Sequence, residues 1–225
     1  MVEQVVSVNL RNEKDSANYF RLRRARIFST IIDSVIAEKG AATVLDIGGT
    51  PKYWELLPSL WRNRPVHVTV TNLVRKRGGN DQIKFVVGDA RDLTQFPDAA
   101  FDIVHSNSVI EHVGHWNEQT RMASEVRRLG NYYYVQTPNL YFPIEPHYKL
   151  PAVHWLPESG RAEVLRHIKG QLPSDASFDQ AMRLVQSINL LTARQFRALF
   201  PDARIIRERF LGITKSFIAI RAAPP

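Results

Sequence analysis

The chain has 225 residues, 44% of them hydrophobic, with no cysteine and a formal net charge of +8. This length sustains one sizeable core, in one domain with insertions. The absence of cysteine excludes a disulfide framework, a thiolate metal site and a cysteine nucleophile. The positive balance fits nucleic acid, an anionic surface or an anionic small substrate. The basic residues are spread along the chain, however, apart from a cluster at Arg21, Arg23, Arg24 and Arg26. With no basic tail and no basic run interleaved with aromatics, a solvated surface is the simpler reading. The opening MVEQVVSVNLRNEKD is interrupted by charges and does not read as a signal peptide. No apolar run is long enough to span a bilayer. A soluble, cytoplasmic protein is expected.

In chain order, residues before Asn18 read as a loose arm. From Tyr19 to Lys39, Phe20, Ala25, Phe28, Ile31, Ile32, Val35 and Ile36 recur at helical spacing, with Gly40 as a stop. A strand follows at Ala42 to Ile47, then a helical segment from Pro51 to Leu60 broken by Pro58. Strands are expected at Val66 to Leu73, Ile83 to Val87 and Phe101 to Ser106, with a basic loop at Arg75 to Asp81. Asn117 to Leu129 reads as a helix closed by Gly130, and Tyr132 to Gln136 as a fifth strand. The segment from Leu140 to Pro173 is rich in proline, histidine and aromatics, with a helix at Glu158 to Lys169. It reads as an insertion or lid, because long irregular segments in compact domains are more often functional than structural. Helices follow at Phe178 to Ser187 and Thr192 to Leu199, the latter capped by Thr192. Strands at Arg204 to Arg209 and Ser216 to Arg221 close the chain.

This alternation predicts an α/β fold. The expected architecture is a doubly wound, Rossmann-like, mostly parallel sheet with helices on both faces and a C-terminal antiparallel strand pair. One domain is expected over residues 1–225, with an N-terminal arm and helix to residue 40 and an insertion at about 140–173.

The stretch VLDIGGTP at Val44 to Pro51 is the focus of the chain. A short apolar run bounded by turn residues suits a buried parallel strand. The double glycine at Gly48 and Gly49 suits a turn whose backbone approaches something closely, whether a ligand or a neighbouring part of the fold. A nicotinamide enzyme would want G-x-G-x-x-G here, and GGTPKY stands instead.

VLDIGGT, TNL, VVGDARDL, FDIVHSNSVIEHVGH and YYYVQTPN follow one another at successive strand ends. In this order they resemble the class I S-adenosylmethionine-dependent methyltransferases, in the small-molecule, type 11-like branch. The terminal LLTARQFRALFPDARIIRERFLGITKSFIAIRA is also similar to that branch. The resemblance implies S-adenosylmethionine as cofactor, with S-adenosylhomocysteine as product. It implies that Asp46 orients the first loop and helps hold the methionine part, and that Gly48 and Gly49 let the backbone lie against the cofactor. Asn72 stands where the family usually has a carboxylate on the ribose hydroxyls, and Thr71 is a neighbour that could share the ribose. Asp89, with Ala90 beside it, matches the acceptor for the adenine amino group. Ser106 and Asn107 match the end of strand four, next to the transferable methyl. Thr50 replaces a further glycine common in that loop.

For chemistry, His112 and His115 follow strand four and are candidate general bases, since the imidazole pKa lies near working pH. For His112 a capping or packing role within its turn, hydrogen-bonded to Glu111, is the slightly preferred reading. Glu145, His147, Tyr148, His154 and Trp155 are candidates for an acceptor pocket, against the plainer reading of a proline-braced loop packed on the sheet. Histidines beside a glutamate also raise a metal site, but the spacing fits no strong metal motif and none is expected. Arg24 could reach the cofactor carboxylate, since arginine binds carboxylates bidentately. The expected activity is methyl transfer to a small polar molecule, with oxygen of a sugar or other metabolite preferred and an anionic or sugar-like acceptor favoured by charge. An RNA-modifying methyltransferase and a non-catalytic methyltransferase-like binding protein are the alternatives. Nucleic acid is not the favoured partner, because no RNA-binding module and no NPPY-like loop is present.

Overall fold

A computed structural model describes residues 16–75, 77–168 and 170–222. The expected arm lies outside these residues up to Asp15, as does Lys169 at the expected end of one helix. Helix α1 spans Ser16–Lys39, and its apolar side chains Phe20, Ala25, Phe28, Ile31, Ile32 and Val35 are all buried. It ends where Gly40 adopts φ of 81° and its N–H donates to the Ile36 carbonyl, a turn that favours glycine.

Strands β1 (Ala42–Ile47), β2 (Val66–Asn72), β3 (Ile83–Val87), β4 (Phe101–Asn107) and β5 (Gly130–Pro138) run parallel. Helix α2 (Pro51–Glu55) and a 3-10 turn at Pro58–Leu60 divide the segment that Pro58 was expected to break. Helix α3 (Trp116–Leu129) precedes β5. Gly130 is not a left-handed stop: it is the first extended residue of β5. It is glycine because a Cβ there would lie 2.6 Å from the Tyr132 carbonyl and 2.8 Å from the Val104 side chain.

The sheet has seven strands in the order β3-β2-β1-β4-β5-β9-β8. Strands β8 (Arg204–Phe210) and β9 (Ile213–Arg221) form the expected antiparallel pair. Strand β9 runs antiparallel between β5 and β8, so β8 is the edge. The turn between them holds Leu211 and Gly212 at φ of 48° and 83°, as a tight hairpin requires.

Successive residues of β1 face opposite layers. Val44 packs with Phe28, Ile32, Val35 and Trp54 under α1 and α2. Leu45 and Ile47 pack with Met122, Val126 and Phe196 under α3 and α6 (Ala193–Leu199). A strand covered on both faces reads as continuous apolar sequence, and each such side chain contributes about 1.5–3 kcal/mol on burial.

Between β5 and α6 the chain leaves the sheet. Asn139 bridges to Leu191, and Leu140 N–H donates to the Leu191 carbonyl, so the excursion starts and ends at one place. It contains β6 (Ile144–Glu145), β7 (Leu150–Pro151), α4 (Glu158–His167) and α5 (Phe178–Gln186). Tyr148, Val153, Ala162, Leu165, Ala181 and Val185 form its own small core. The segment expected at 140–173 is therefore continuous with α5 and runs on to residue 191. No helix among the described residues is long and apolar enough to cross a membrane.

Candidate active site

The carboxyl ends of β1 to β4 converge on a cavity of about 280 Å3. Gly48, Asn72, Asp89, Ala90, Ser108 and His112 are among the residues that line it. A second cavity, about 320 Å3, lies beside it and is lined in part by Arg21, Arg24, Tyr53, Asn107, Gln136 and Lys215. Ser108 borders both. A smaller space of about 180 Å3 under the glycine turn joins Asp46, Gly48, Gly49 and Thr50 to Tyr53, His105 and Asn107.

The glycine turn is shaped from within the protein. Gly48 has φ of 75°, and a Cβ there would lie 2.5 Å from the Val109 side chain. At Gly49 a Cβ would lie 1.7 Å from Asp46 Oδ2, so the carboxylate occupies that space. Asp46 is buried, accepting from Trp54 Nε1 at 2.7 Å and pairing with His105 Nδ1 at 2.7 Å. His105 is stacked on Tyr134, with ring centroids 5.3 Å apart. Asp46 thus orients the turn from behind, with both oxygens engaged by side chains. Thr50 caps α2, its hydroxyl accepting from Tyr53 N–H at 3.3 Å, which explains threonine where a further glycine is common.

Asn72 carries an unanticipated function in the turn. Its Nδ2 donates to the Gly48 carbonyl at 3.0 Å and the Gly49 carbonyl at 3.1 Å. Two carbonyls can only accept, so the amide must present its NH2 to them, leaving Oδ1 as an acceptor for a ligand. Thr71 does not share this wall: it is fully buried, and its hydroxyl has no partner among the described residues.

Asp89 is gripped by its near neighbour. Arg91 Nη2 lies 2.6 Å from Oδ2, Arg91 Nε donates to both oxygens, and Arg91 N–H donates to Oδ1. The guanidinium holds the Asp89 carboxyl below the usual range. Ser106 is buried, donating to the Ile47 carbonyl at 3.2 Å, and lies inside the sheet rather than on a cavity wall. Asn107 does reach the second cavity, and Arg24 Nη1 stands 3.4 Å from its Oδ1.

Arg24 has a stronger commitment than a ligand carboxylate. Its Nε and Nη2 donate to Glu208 Oε2 at 2.8 and 2.6 Å, and Nη2 also reaches Ser216 Oγ at 3.2 Å. Glu208 is fully buried, so this ion pair fastens α1 to β8 while leaving Arg24 on the cavity wall.

The candidates after β4 and β5 divide. Glu111 is fully buried; Thr137 Oγ1 donates to its Oε2 at 3.0 Å, and burial pushes its carboxyl up to about 7. His112 Nδ1 lies 3.2 Å from the Ser187 carbonyl, and its Nε2 is 3.0 Å from His147 Nε2. Glu145 is buried and accepts from His147 Nδ1 at 2.6 Å and from Tyr148 N–H at 2.5 Å. Burial lowers the His112 basicity; burial opposes charge on His147 too, but the Glu145 carboxylate raises it. His115 stands apart, in a polar cavity of about 210 Å3 with His154, Gln119 and Arg161. Tyr148 belongs to the excursion core, and the exposed Trp155 donates to the Leu140 carbonyl at 2.8 Å. The structure therefore brings Glu145 and His147 to His112, while none of Glu145, His147, His115, Tyr148, His154 and Trp155 lines the donor-side cavity or the second cavity beside it.

The residues present suit an adenosine-bearing sulfonium. Asn72 Oδ1 and the Asp89 carboxylate offer acceptors to ribose hydroxyls and an adenine amino group. A pyrophosphate finds no cradle, because Gly48 N–H is already donated to the Thr71 carbonyl at 2.7 Å and α2 is only five residues long.

Residues 64–131 match a family model described as a methyltransferase domain, of type 11. Two uncharacterized proteins of Mycobacterium tuberculosis, from strains CDC 1551 and H37Rv, are each 30% identical over 110 residues, or 49% of this chain. The match spans only 36% of each relative's length. Among solved structures, the N-terminal domain of EvdMO1, determined in the presence of SAH and D-fucose, superposes with a TM-score of 0.53 at 15% identity, covering 91% of this chain and 83% of that one. A chain of the Haloferax volcanii complex containing the Trm112 methyltransferase activator superposes with a TM-score of 0.50 at 15% identity, covering 93% of this chain and 96% of that one. At such identities these likenesses speak for the fold. The matched segment holds β2 to α3, and with them Asn72, Asp89, Asn107 and His112. Over β2 to α3 the chain is similar to the type 11 methyltransferase domain, set within a Rossmann-like sheet.

Proposed function

We propose that this chain transfers a methyl group from S-adenosylmethionine to a hydroxyl of a small polar acceptor, with a sugar or anionic metabolite as the preferred class. One observation carries the reading: the adenosine-suited cavity and the second cavity meet at Ser108, at the end of β4. Asn72, Asp89 and Ala90 hold the nucleoside, and Gly48 and Asn107 border the methionine side. The donor supplies a methyl carbon already activated by its sulfonium. The protein's contribution is to align the acceptor oxygen with that carbon and exclude competing water.

The second cavity has Arg21, Arg24 and Lys215 among its lining residues, which supports an acceptor bearing negative charge or many hydroxyls. Asn107, Ser108 and Gln136 supply polar groups there, with Ser108 Oγ held 2.9 Å from Gln136 Oε1. The EvdMO1 domain, which shares this fold, was crystallised in the presence of SAH and D-fucose, which supports testing a sugar acceptor. Of the two histidines weighed as bases, only His112 borders the donor cavity, and both of its ring nitrogens are engaged.

Calorimetric titration with S-adenosylmethionine and S-adenosylhomocysteine, with NAD as control, tests the donor half. Saturable binding of the first two, weakened in Asp89→Ala, is expected. Equal binding of NAD, or no binding of either methyl-cycle ligand, overturns the reading. A panel of sugars and sugar acids, followed by product formation, then tests the acceptor half.

A further inference from the structure

We infer that Glu111, His112 and His147 form a mononuclear site for a divalent first-row transition cation, at the junction of the donor cavity and the excursion. Each residue offers one ligand atom, and these atoms lie within 4.8 Å of one another. The residues come from two distant stretches, the 3-10 turn after β4 and the loop after β6, so the cluster is a product of the fold.

The hydrogen bonds fix the tautomers. The Ser187 carbonyl can only accept, so His112 Nδ1 carries a hydrogen. Glu145 is fixed by the Tyr148 N–H and accepts from His147 Nδ1, so that nitrogen carries a hydrogen as well. In the neutral rings both Nε2 atoms then bear lone pairs, and they face one another at 3.0 Å. Two lone pairs in that position need a cation between or beside them, either a shared proton or a metal ion.

The carboxyl of Glu111 favours the metal ion. Glu111 is fully buried and uses only Oε2, on Thr137; Oε1 has no partner among the described residues. A proton shared between the imidazoles leaves that oxygen unsatisfied. A metal ion takes both imidazoles and the carboxylate together.

The set has the marks of a working metal centre. Two imidazole nitrogens and one carboxylate are borderline donors that favour zinc, iron, cobalt or nickel over magnesium or calcium. Ligand atoms on a tetrahedral zinc-sized ion lie about 3.3 Å apart, given metal–ligand bonds of about 2.0–2.1 Å. The Nε2 pair is near that spacing already, and the wider separations contract on binding. Both histidines carry the supporting partner that metal-bound imidazoles have, a carboxylate on one and a backbone carbonyl on the other. Three protein ligands leave coordination positions open for water or an acceptor oxygen, as in catalytic rather than structural sites. His112 is exposed and lines the donor cavity, which provides an entry path.

Co2+ is the probe, since it reports coordination through visible absorption without any turnover. The full chain is stripped with chelator, titrated with Co2+ and then with Zn2+, with Mg2+ as control, and its metal content is measured after dialysis. One Co2+ per chain with visible bands, displaced by Zn2+ and indifferent to Mg2+, is expected. His112→Ala, at an exposed position, and the buried isostere Glu111→Gln each abolish or sharply weaken the signal. Glu145→Gln, which removes the charge supporting His147, weakens it by roughly 10–100-fold. No stoichiometric binding by the folded parent overturns the inference and leaves a proton shared by the two histidines. Binding that persists unchanged in a His112→Ala/His147→Ala variant overturns it too, by placing the ion elsewhere. No methyl donor enters the assay, so its outcome is independent of the methyl-transfer reading.

Discussion

Replacing Asn72 by aspartate would restore the charge usual at the ribose position, and it is expected to harm the protein. The amide donates to the Gly48 and Gly49 carbonyls at 3.0 and 3.1 Å. A carboxylate in the same place donates to neither. Losing two hydrogen bonds at about 0.5–1.5 kcal/mol each costs about 1–3 kcal/mol. An anionic oxygen set against two carbonyl dipoles adds repulsion, reduced because Asn72 is only half-buried. Asn72→Ala separates these effects, since it loses the bonds without adding a charge. Urea denaturation at pH 8 should rank the parent most stable, Asn72→Ala next and Asn72→Asp last. The new carboxyl would have its folded pKa raised by the carbonyls. Its penalty is therefore present above that pKa and relieved as pH falls through it, so Asn72→Asp should approach Asn72→Ala near pH 4. Calorimetry should show S-adenosylhomocysteine binding weakened in both variants, because the turn loses its brace. An Asn72→Asp protein as stable as the parent, binding that ligand more tightly, would refute the reasoning.

Further outcomes follow from the same geometry. Glu111 ionises near 4.5 when unfolded and near 7 in the buried native site. Between those values the native chain holds a proton that the unfolded chain has lost. Metal-free stability should therefore fall with rising pH across that window, by up to about 3 kcal/mol. Glu111→Gln should abolish the slope, and denaturation in EDTA at several pH values checks it. Arg24→Ala strands the buried Glu208 carboxylate and should cost about 3–5 kcal/mol, whereas Arg24→Met with Glu208→Gln should recover much of that loss in thermal melts. Gly49→Ala should drive Asp46 off Trp54 and His105, lowering stability and altering the near-ultraviolet circular dichroism of Trp54.

Much of the scaffold is readable because local and tertiary signals agree in it. β1 forms over Ala42–Ile47 as its apolar run predicts, and α1 buries the stripe that its periodicity marks. Thr192 caps α6 with the reciprocal Gln195 contact that its spacing implies. Elsewhere a local pattern has more than one tertiary outcome. α5 is expected as a helix beyond the 140–173 insertion, yet its apolar side chains pack against α4 in the excursion's own core. Gly130 reads as a helix stop, but the missing side chain answers to Tyr132 and Val104.

At the site, Gly48, Asn72, Asp89 and Ala90, which line one cavity, are legible as neighbours because each sits at or just after a strand end, a position that sequence order reveals. Partners that meet only through the fold are not. Arg24 and Glu208 lie 184 positions apart, and nothing local to Arg24 announces a buried carboxylate. His112 and His147 are separated by 35 positions, beyond any short metal motif. Asn72 could be seen as a departure, but its bracing of the turn required the positions of two carbonyls.

The bridge between Asn139 and Leu191 gives the excursion a neck. The two ends lie side by side whatever is strung between them, and the further ties run to the turn after β4 and to α3, through His147 and Ser187 on His112 and Asn189 on Gln119. Doubling the length of a flexible connection costs only about 0.6 kcal/mol in closure entropy. Length can therefore change at the far end of the excursion, between α4 and α5, without disturbing Asn72 or Asp89. The molecule is in this sense a sheet frame carrying a side loop that is closed at its base.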